Sequence, residues 1–276
     1  MTIVQLSDPH VREPGVLAYG QIDTSAYLAR AVDALNRFAP RPELVVVSGD
    51  ATDLGTEPET RTARAELDRL VCPYVVVPGN HDDPKVMHAV FRDYAFAAAG
   101  DGDVGFNWRT KAGGVQVIGL DSTVPGQAHG VLGPARRAWL DAALSAAAPD
   151  PTMVVLHHPP FAVGIAHMDR QNLHDADAFY DVLSRHPHVR HVGCGHVHRA
   201  VETCIRGIPT SIAPGPAHAV AFDTRPEAPP RFRLEPPAVR VFRLTGAQLV
   251  SHVVYLDDYP GPFPFFDEAG RLIGES

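Results

Sequence analysis

The sequence predicts an α/β protein in which helices cover one sheet and a second, largely antiparallel sheet packs against the first. Three observations predict it. Short apolar runs alternate with amphipathic segments over roughly the first two hundred residues. Beyond residue 200 strand-like runs follow one another with turns between them. Most of the apolar runs also end in clusters of Asp, Asn, His and Gly, the polar edge that open α/β sheets present at the carboxyl ends of their strands.

Taken in order, Ile3–Leu6, Leu44–Val47, Tyr74–Val77, Val115–Leu120 and Met153–Leu156 are aliphatic or β-branched and short, as strands buried on both faces are. Val189–Val192 is a further short run. Between them, residues 24–38 open on Thr24 as a cap and place Tyr27, Ala31, Leu35 and Phe38 on one helical face. Residues 57–70 and 134–147 read likewise, with Pro134 in a first turn. Late in the chain, "AVETCIRGIPTSIAP", "RVFRLTG" and "QLVSHVVYL" are strand-like, with Thr245-Gly246 as the turn between the last two. Residues 223–238, "DTRPEAPPRFRLEPPA", predict an extended surface excursion. The chain divides into a body, 1–256, and a tail, 257–276. The tail carries Tyr259, Phe263, Phe265 and Phe266, so it is expected to dock on its own body or on a neighbouring copy in a homo-oligomer.

The 276 residues suffice for one large domain or two small ones with a substantial core. A net charge of -8 argues against a nucleic-acid polymer as partner, because such binding depends on neutralising phosphates. No leader pattern opens the chain and no apolar run approaches a membrane span, which predicts a cytoplasmic protein without a membrane partner. Cys72, Cys194 and Cys204 form no CxxC pair and predict buried thiols in a reducing compartment. Fifteen histidines against 24 Lys plus Arg is a high share of the commonest metal ligand.

The chemistry lies in the residues just past the end of each run. Asp8-Pro9-His10 comes after the first, and Gly49-Asp50-Ala51-Thr52-Asp53 after the second. Gly79-Asn80-His81-Asp82 comes after the third, His157-His158-Pro159-Pro160 after Met153–Leu156, and Gly195-His196-Val197-His198 after Val189–Val192. Singly, each has an ordinary structural reading, such as a capped helix start or a strand-ending turn. Together they gather imidazoles and carboxylates at one edge, a donor set that suits Zn, Fe or Mn. There are too many donors for one tetrahedral ion. Two cations about 3.5–4 Å apart clamp both the attacking and the leaving oxygen of a displacement at phosphorus.

These motifs resemble those of the calcineurin-like metallophosphoesterases, and within them the bacterial class III cyclic nucleotide phosphodiesterases. The chain is most similar to the glycerophosphodiesterase branch, through "AYGQID" at 18–23, "HHPPF" followed by "HMD" at 167–169, "PGPAH" at 214–218 and the tail segment 259–262. The resemblance implies a four-layer α-β-β-α sandwich of two mixed β-sheets packed face to face and flanked by helices. It also implies two divalent or trivalent ions, one on Asp8, His10 and His198, the other on Asn80, His157 and His196, with Asp50 bridging. His158 is not a ligand in this pattern.

The implied reaction is hydrolysis of a small phosphodiester, a glycerophosphodiester or a cyclic nucleotide, by attack of a metal-bound hydroxide. Asn80, His81 and His218 would contact the substrate. His81, one residue beyond Asn80, should face the leaving group as its proton donor. Asp53 or Asp82 would orient an imidazole, and Tyr19 with the loop 161–174 would wall the leaving-group pocket. No large aromatic cluster adjoins the motifs, which favours a small alcohol over a nucleobase. No arginine evidently stands beside the motifs to meet a dianion, Arg12 being the candidate exception. Two alternatives remain at this point: a protein serine/threonine phosphatase, and a non-catalytic scaffold of the same fold.

Overall fold

In the computed structural model, residues 1–98 and 105–274 are described; the last two residues of the tail lie outside that range. Strands β1 (Thr2–Leu6), β2 (Leu44–Ser48) and β3 (Tyr74–Val77) are buried along their whole length, as expected of apolar runs covered on both faces. They pair in parallel, joined by helices α1 (Thr24–Asn36) and α2 (Glu57–Leu67). The chain continues through α3 (Pro84–Val90), α4 (Ala95–Ala98) and the antiparallel pair β4 (Trp108–Ala112) and β5 (Val115–Leu120). Helix α5 (Gly133–Ala147), with Pro134 in its first turn, leads to β6 (Thr152–Leu156). The short α6 (Ala166–Asp169) and α7 (Ala176–Leu183) precede β7 (Val189–Cys194).

Two mixed sheets result. One has the order β3, β2, β1, then β12 (Ala238–Thr245) and β13 (Gln248–Tyr255). The other runs β4, β5, β6, β7, then β9 (Ile208–Ile212) and β8 (Val201–Ile205). β10 (Ala219–Val220) and β11 (Phe232–Arg233) form a small separate ribbon. The strands after residue 200 therefore do not build a sheet of their own, contrary to the sequence expectation. One hairpin extends each sheet, because β1 and β7 each have an unpaired side: β12 covers β1 in antiparallel and β9 covers β7 in parallel.

Alternation along the strands of the second sheet explains the layering. Val117, Met153 and Val155 join the core shared with β1, β2, α1 and α2, whereas Ile118, Val154, Leu156 and Val192 pack with Leu140 and Leu144 of α5 and Phe179 of α7. The sheets are also pinned across their interface. The Trp108 indole donates to the Val76 carbonyl (2.5 Å), and the Gln5 amide donates to the Cys194 carbonyl (2.9 Å). Thr24 is not the α1 cap. Asp23 accepts from the Ala26 amide, and the Thr24 hydroxyl donates to the His10 carbonyl at 2.7 Å, tying the helix start to the loop after β1. Of the three thiols, Cys204 is exposed, so the expectation of buried cysteines holds for Cys72 and Cys194 only.

His191, on the inner face of β7, sits against the Phe242 ring with its Nε2 at 2.7 Å from the Ser211 hydroxyl. Burial, with Arg240 adding to it, pushes its pKa down to about 3. The unfolded chain thus takes up this proton first as pH falls. The contribution is complete above the ordinary value near 6.5 and drains away towards the folded value. Between pH 7 and pH 5 the loss is about 2 kcal/mol. Denaturant unfolding at the two pH values should show His191→Gln losing less stability on acidification than the parent; an equal loss in both would contradict a buried neutral imidazole.

Candidate metal centre

Loops leaving β1, β2, β3, β6 and β7 bring Asp8, His10, Asp50, Asn80, His157, His196 and His198 to one place where the two sheets meet. All but Asn80 are buried. Asp8, His10, Asp50, His196 and His198 have φ between 46° and 76°, the left-handed region that side-chain-bearing residues seldom occupy. Such strain persists only where the surroundings over-determine it. Here the loops lock one another: the Asp8 amide donates to Gly49 O (3.1 Å), the His10 amide to Asp50 O (2.9 Å), and the His196 amide to the Asp8 carboxylate (2.9 Å). His196 and His198 thus reach a common centre from a turn, not from an extended segment.

Two glycines make the approach possible. At Gly49, φ is +94° and a Cβ would lie 2.3 Å from His157 Nδ1. At Gly195, a Cβ would lie 2.3 Å from Ser7 Oγ and 2.9 Å from Asp8 Oδ2. Gly195→Ala is expected to destabilise the fold by about 1–3 kcal/mol through overpacking and to lower bound metal. Thermal melts and metal analysis check this, and a variant matching the parent in both would contradict the close approach.

The side chains form two sets that share one oxygen. His10 Nε2 lies 3.2 Å from His198 Nε2 and 3.5 Å from Asp50 Oδ2, and His198 Nε2 is 3.5 Å from Asp8 Oδ1. His157 Nε2 lies 3.1 Å from Asn80 Oδ1, 3.2 Å from His196 Nδ1 and 3.3 Å from the same Asp50 Oδ2. Bonds of about 2.0–2.1 Å to one ion at tetrahedral angles would space ligand atoms about 3.4 Å apart. The observed spacings match, and imidazole nitrogens aimed at one another suit a shared cation. The donors present fit a pair of ions.

The outer contacts fix which ring nitrogen is free. His157 Nδ1 donates to the Ser48 carbonyl (3.0 Å), and His10 Nδ1 donates to the Asp53 carboxylate (3.3 Å), leaving both Nε2 atoms facing the centre. Asp53 is thus the orienting acid. Asp82 instead accepts from the amides of Ala51, Thr52 and Gly79 and holds the loops together. Arg12 is consumed by Asp53 (3.0 Å) and Glu59 (2.8 Å) and is not free to meet a dianion. Electrostatics show how strongly the carboxylates act without a cation. Burial pulls the His157 pKa down, yet Asp50 and Asp8 outweigh it and raise it to about 9. Burial raises Asp8 to about 6. It lowers His196 to about 3, with His157 adding to the effect, so that imidazole stays neutral and able to bind metal.

A cavity of about 370 Å³ opens over this centre. His81 lines it, with its Nδ1 donating to the Asp53 carbonyl at 2.7 Å, so Nε2 is the ring nitrogen left for a ligand. His218 lines it too, 4.6 Å from His198 and 5.4 Å from His10 between ring centroids. His158 is turned towards the Ser122 hydroxyl (2.8 Å). Met168 and Gln171 form part of the wall, as expected of the 161–174 loop. The sequence reading missed Arg231 and Phe232. They come from the Pro/Arg-rich excursion, which is mostly exposed as expected but turns Pro230, Arg231 and Phe232 onto the cavity. Phe232 packs against Tyr19 (5.2 Å), so an aromatic cluster does adjoin the site. Only the pairing of Val220 with Phe232 reveals this, and no local motif announces it.

Two mixed sheets face to face, helices outside them and a histidine–carboxylate cage at their common edge define a metallophosphoesterase sandwich, with a donor set consistent with a dinuclear centre. The chain belongs to the calcineurin-like phosphoesterase family, whose pattern matches residues 1–200. It is 34% identical, over 99% of its length and 100% of the relative's, to a probable glycerophosphodiester phosphodiesterase, GpdQ, of Arcobacter nitrofigilis. It is 32% identical, over 91% of both chains, to a probable cyclic nucleotide phosphodiesterase of Rhodopseudomonas palustris. Among solved structures, a dimetal phosphatase from Danio rerio superposes with a TM-score of 0.66 at 16% identity, covering 94% of this chain and 97% of that one. Among the described residues no helix is long and apolar enough to cross a membrane.

Proposed function

We propose that the protein hydrolyses small phosphodiesters, glycerophosphodiesters and cyclic nucleotides being the two classes its relatives' names point to. The observation that carries the reading is the position of Asp50 Oδ2, within 3.5 Å of His10 Nε2 and 3.3 Å of His157 Nε2, so that one buried carboxylate serves both donor sets. Asp8, His10 and His198 would hold one ion, Asn80, His157 and His196 the other, with Asp50 between them. The ions, Fe, Zn or Mn by donor type, would supply an acidified water and neutralise phosphoryl charge.

The remaining work falls to the chain's own side chains. Asp53 and the Ser48 carbonyl keep His10 and His157 in the ligating tautomer. His81, its Nδ1–H fixed by the Asp53 carbonyl, acts in its doubly protonated form, giving the Nε2 proton to the departing oxygen and becoming neutral. His218 and the Asn80 amide contact the phosphoryl oxygens. A cytoplasmic setting and a homo-oligomer complete the reading. Phe263 and Phe265 in the tail are 74% and 79% exposed, which favours a contact with a second copy over docking in cis.

Turnover of the metal-loaded protein on glycerophosphodiesters, 3′,5′- and 2′,3′-cyclic nucleotides and phosphomonoesters tests the proposal. Diesters should be cleaved, and a chelator should stop the reaction. Protein inert towards every diester with every divalent supplement would overturn it.

A further inference from the structure

Resting on that reading, we infer that Phe232, delivered by the 223–238 excursion, determines specificity by forming with Tyr19 a wall that selects phosphodiesters carrying a flat aromatic ring. The excursion is closed over the site by its own ends. Val220 pairs with Phe232 and Ala219 with Arg233, one strand of the pair beginning directly after His218. The pairing sets the Phe232 ring 5.6 Å from His218 and 5.2 Å from Tyr19, and Tyr19 lies 5.3 Å from His218. His218 in turn adjoins His10 and His198, so the wall is continuous with the floor of the cavity where phosphorus would sit.

Tyr19 is placed there at a cost. Its φ is +53°, an outlier for a bulky residue, and it is held by a tight loop in which the Ala18 and Ile22 amides and carbonyls pair reciprocally at 2.8 and 3.1 Å. Phe232 is half-buried and Tyr19 is 44% exposed, and both line the cavity. Accessible aromatic faces a ring's length from a phosphoryl site are stacking surfaces for a planar group, whatever its heteroatoms. A glycerol moiety has no face to offer them.

The test compares KM and kcat for 3′,5′-cyclic AMP, ethyl phenyl phosphate and glycerophosphoethanolamine in the full-length, metal-loaded parent, Phe232→Ala and Phe232→Tyr. Phe232→Ala should raise KM for a ring-bearing diester about tenfold or more, the size of a stacking contact, with kcat and the glycerol substrate unchanged. Phe232→Tyr, which keeps a ring, should restore the parent value. A rise confined to cyclic AMP assigns the wall to nucleobases, and one confined to the phenyl ester assigns it to aryl groups. Diesters cleaved with no change, or with equal loss on all three substrates, overturn this inference alone. Failure of the parent to cleave any diester overturns it together with the proposed function.

Discussion

Asp50→Asn is expected to cut phosphodiester turnover by about 10³-fold or more and to leave the protein with fewer than two bound cations. A metal pair contributes several kcal/mol of charge stabilisation at the reacting phosphorus, and each 1.4 kcal/mol is about tenfold in rate. Asparagine keeps the shape of the side chain but removes the charge both donor sets share. The carboxylate is fully enclosed. Burial raises its pKa, but His157, His81 and His10 outweigh burial and hold it well below the usual range, so it is ionised at neutral pH. Its Oδ1 also accepts the His81 amide at 2.9 Å, a bond that the asparagine carbonyl oxygen can keep, so the loop that carries His81 is retained. Metal analysis and steady-state rates on the same preparation measure both effects. Unchanged stoichiometry with an unchanged rate would remove Asp50 from the centre.

His81→Ala is expected to keep both cations while slowing cleavage of unactivated diesters by about 10²–10⁴-fold, the range for a positioned proton donor. The loss should shrink for a 4-nitrophenyl leaving group, which departs without protonation. The imidazole is 37% exposed along its side chain and fixed at one end only, by the Asp53 carbonyl, so its removal costs little packing. Equal losses on activated and unactivated esters would contradict proton donation and leave His81 a purely electrostatic contact.

How much was legible in the sequence depends on how local each signal is. Asp8, His10, Asp50, Asn80, His157, His196 and His198 could be read because each sits within a few residues of an apolar run, and strands in such sheets end on a common side. The glycines beside them could be read for the same reason, and the distances a Cβ would meet bear that out. Sheet membership could not, since a strand such as Ala238–Thr245 carries no mark of the edge it will join. Nor could the left-handed backbone at His196, whose amide is held by Asp8, 188 residues away in sequence. Arg231 and Phe232 were lost inside a proline-rich stretch whose composition suggests only extended chain, and whose position is set by a two-residue ribbon.

Anomalous X-ray diffraction from crystals loaded with a single metal would locate the cations themselves. Two peaks about 3.5–4 Å apart are expected, one among Asp8, His10 and His198, the other among Asn80, His157 and His196, with Asp50 touching both. A single peak, or two that leave Asp50 uncoordinated, would contradict a shared dimetal centre.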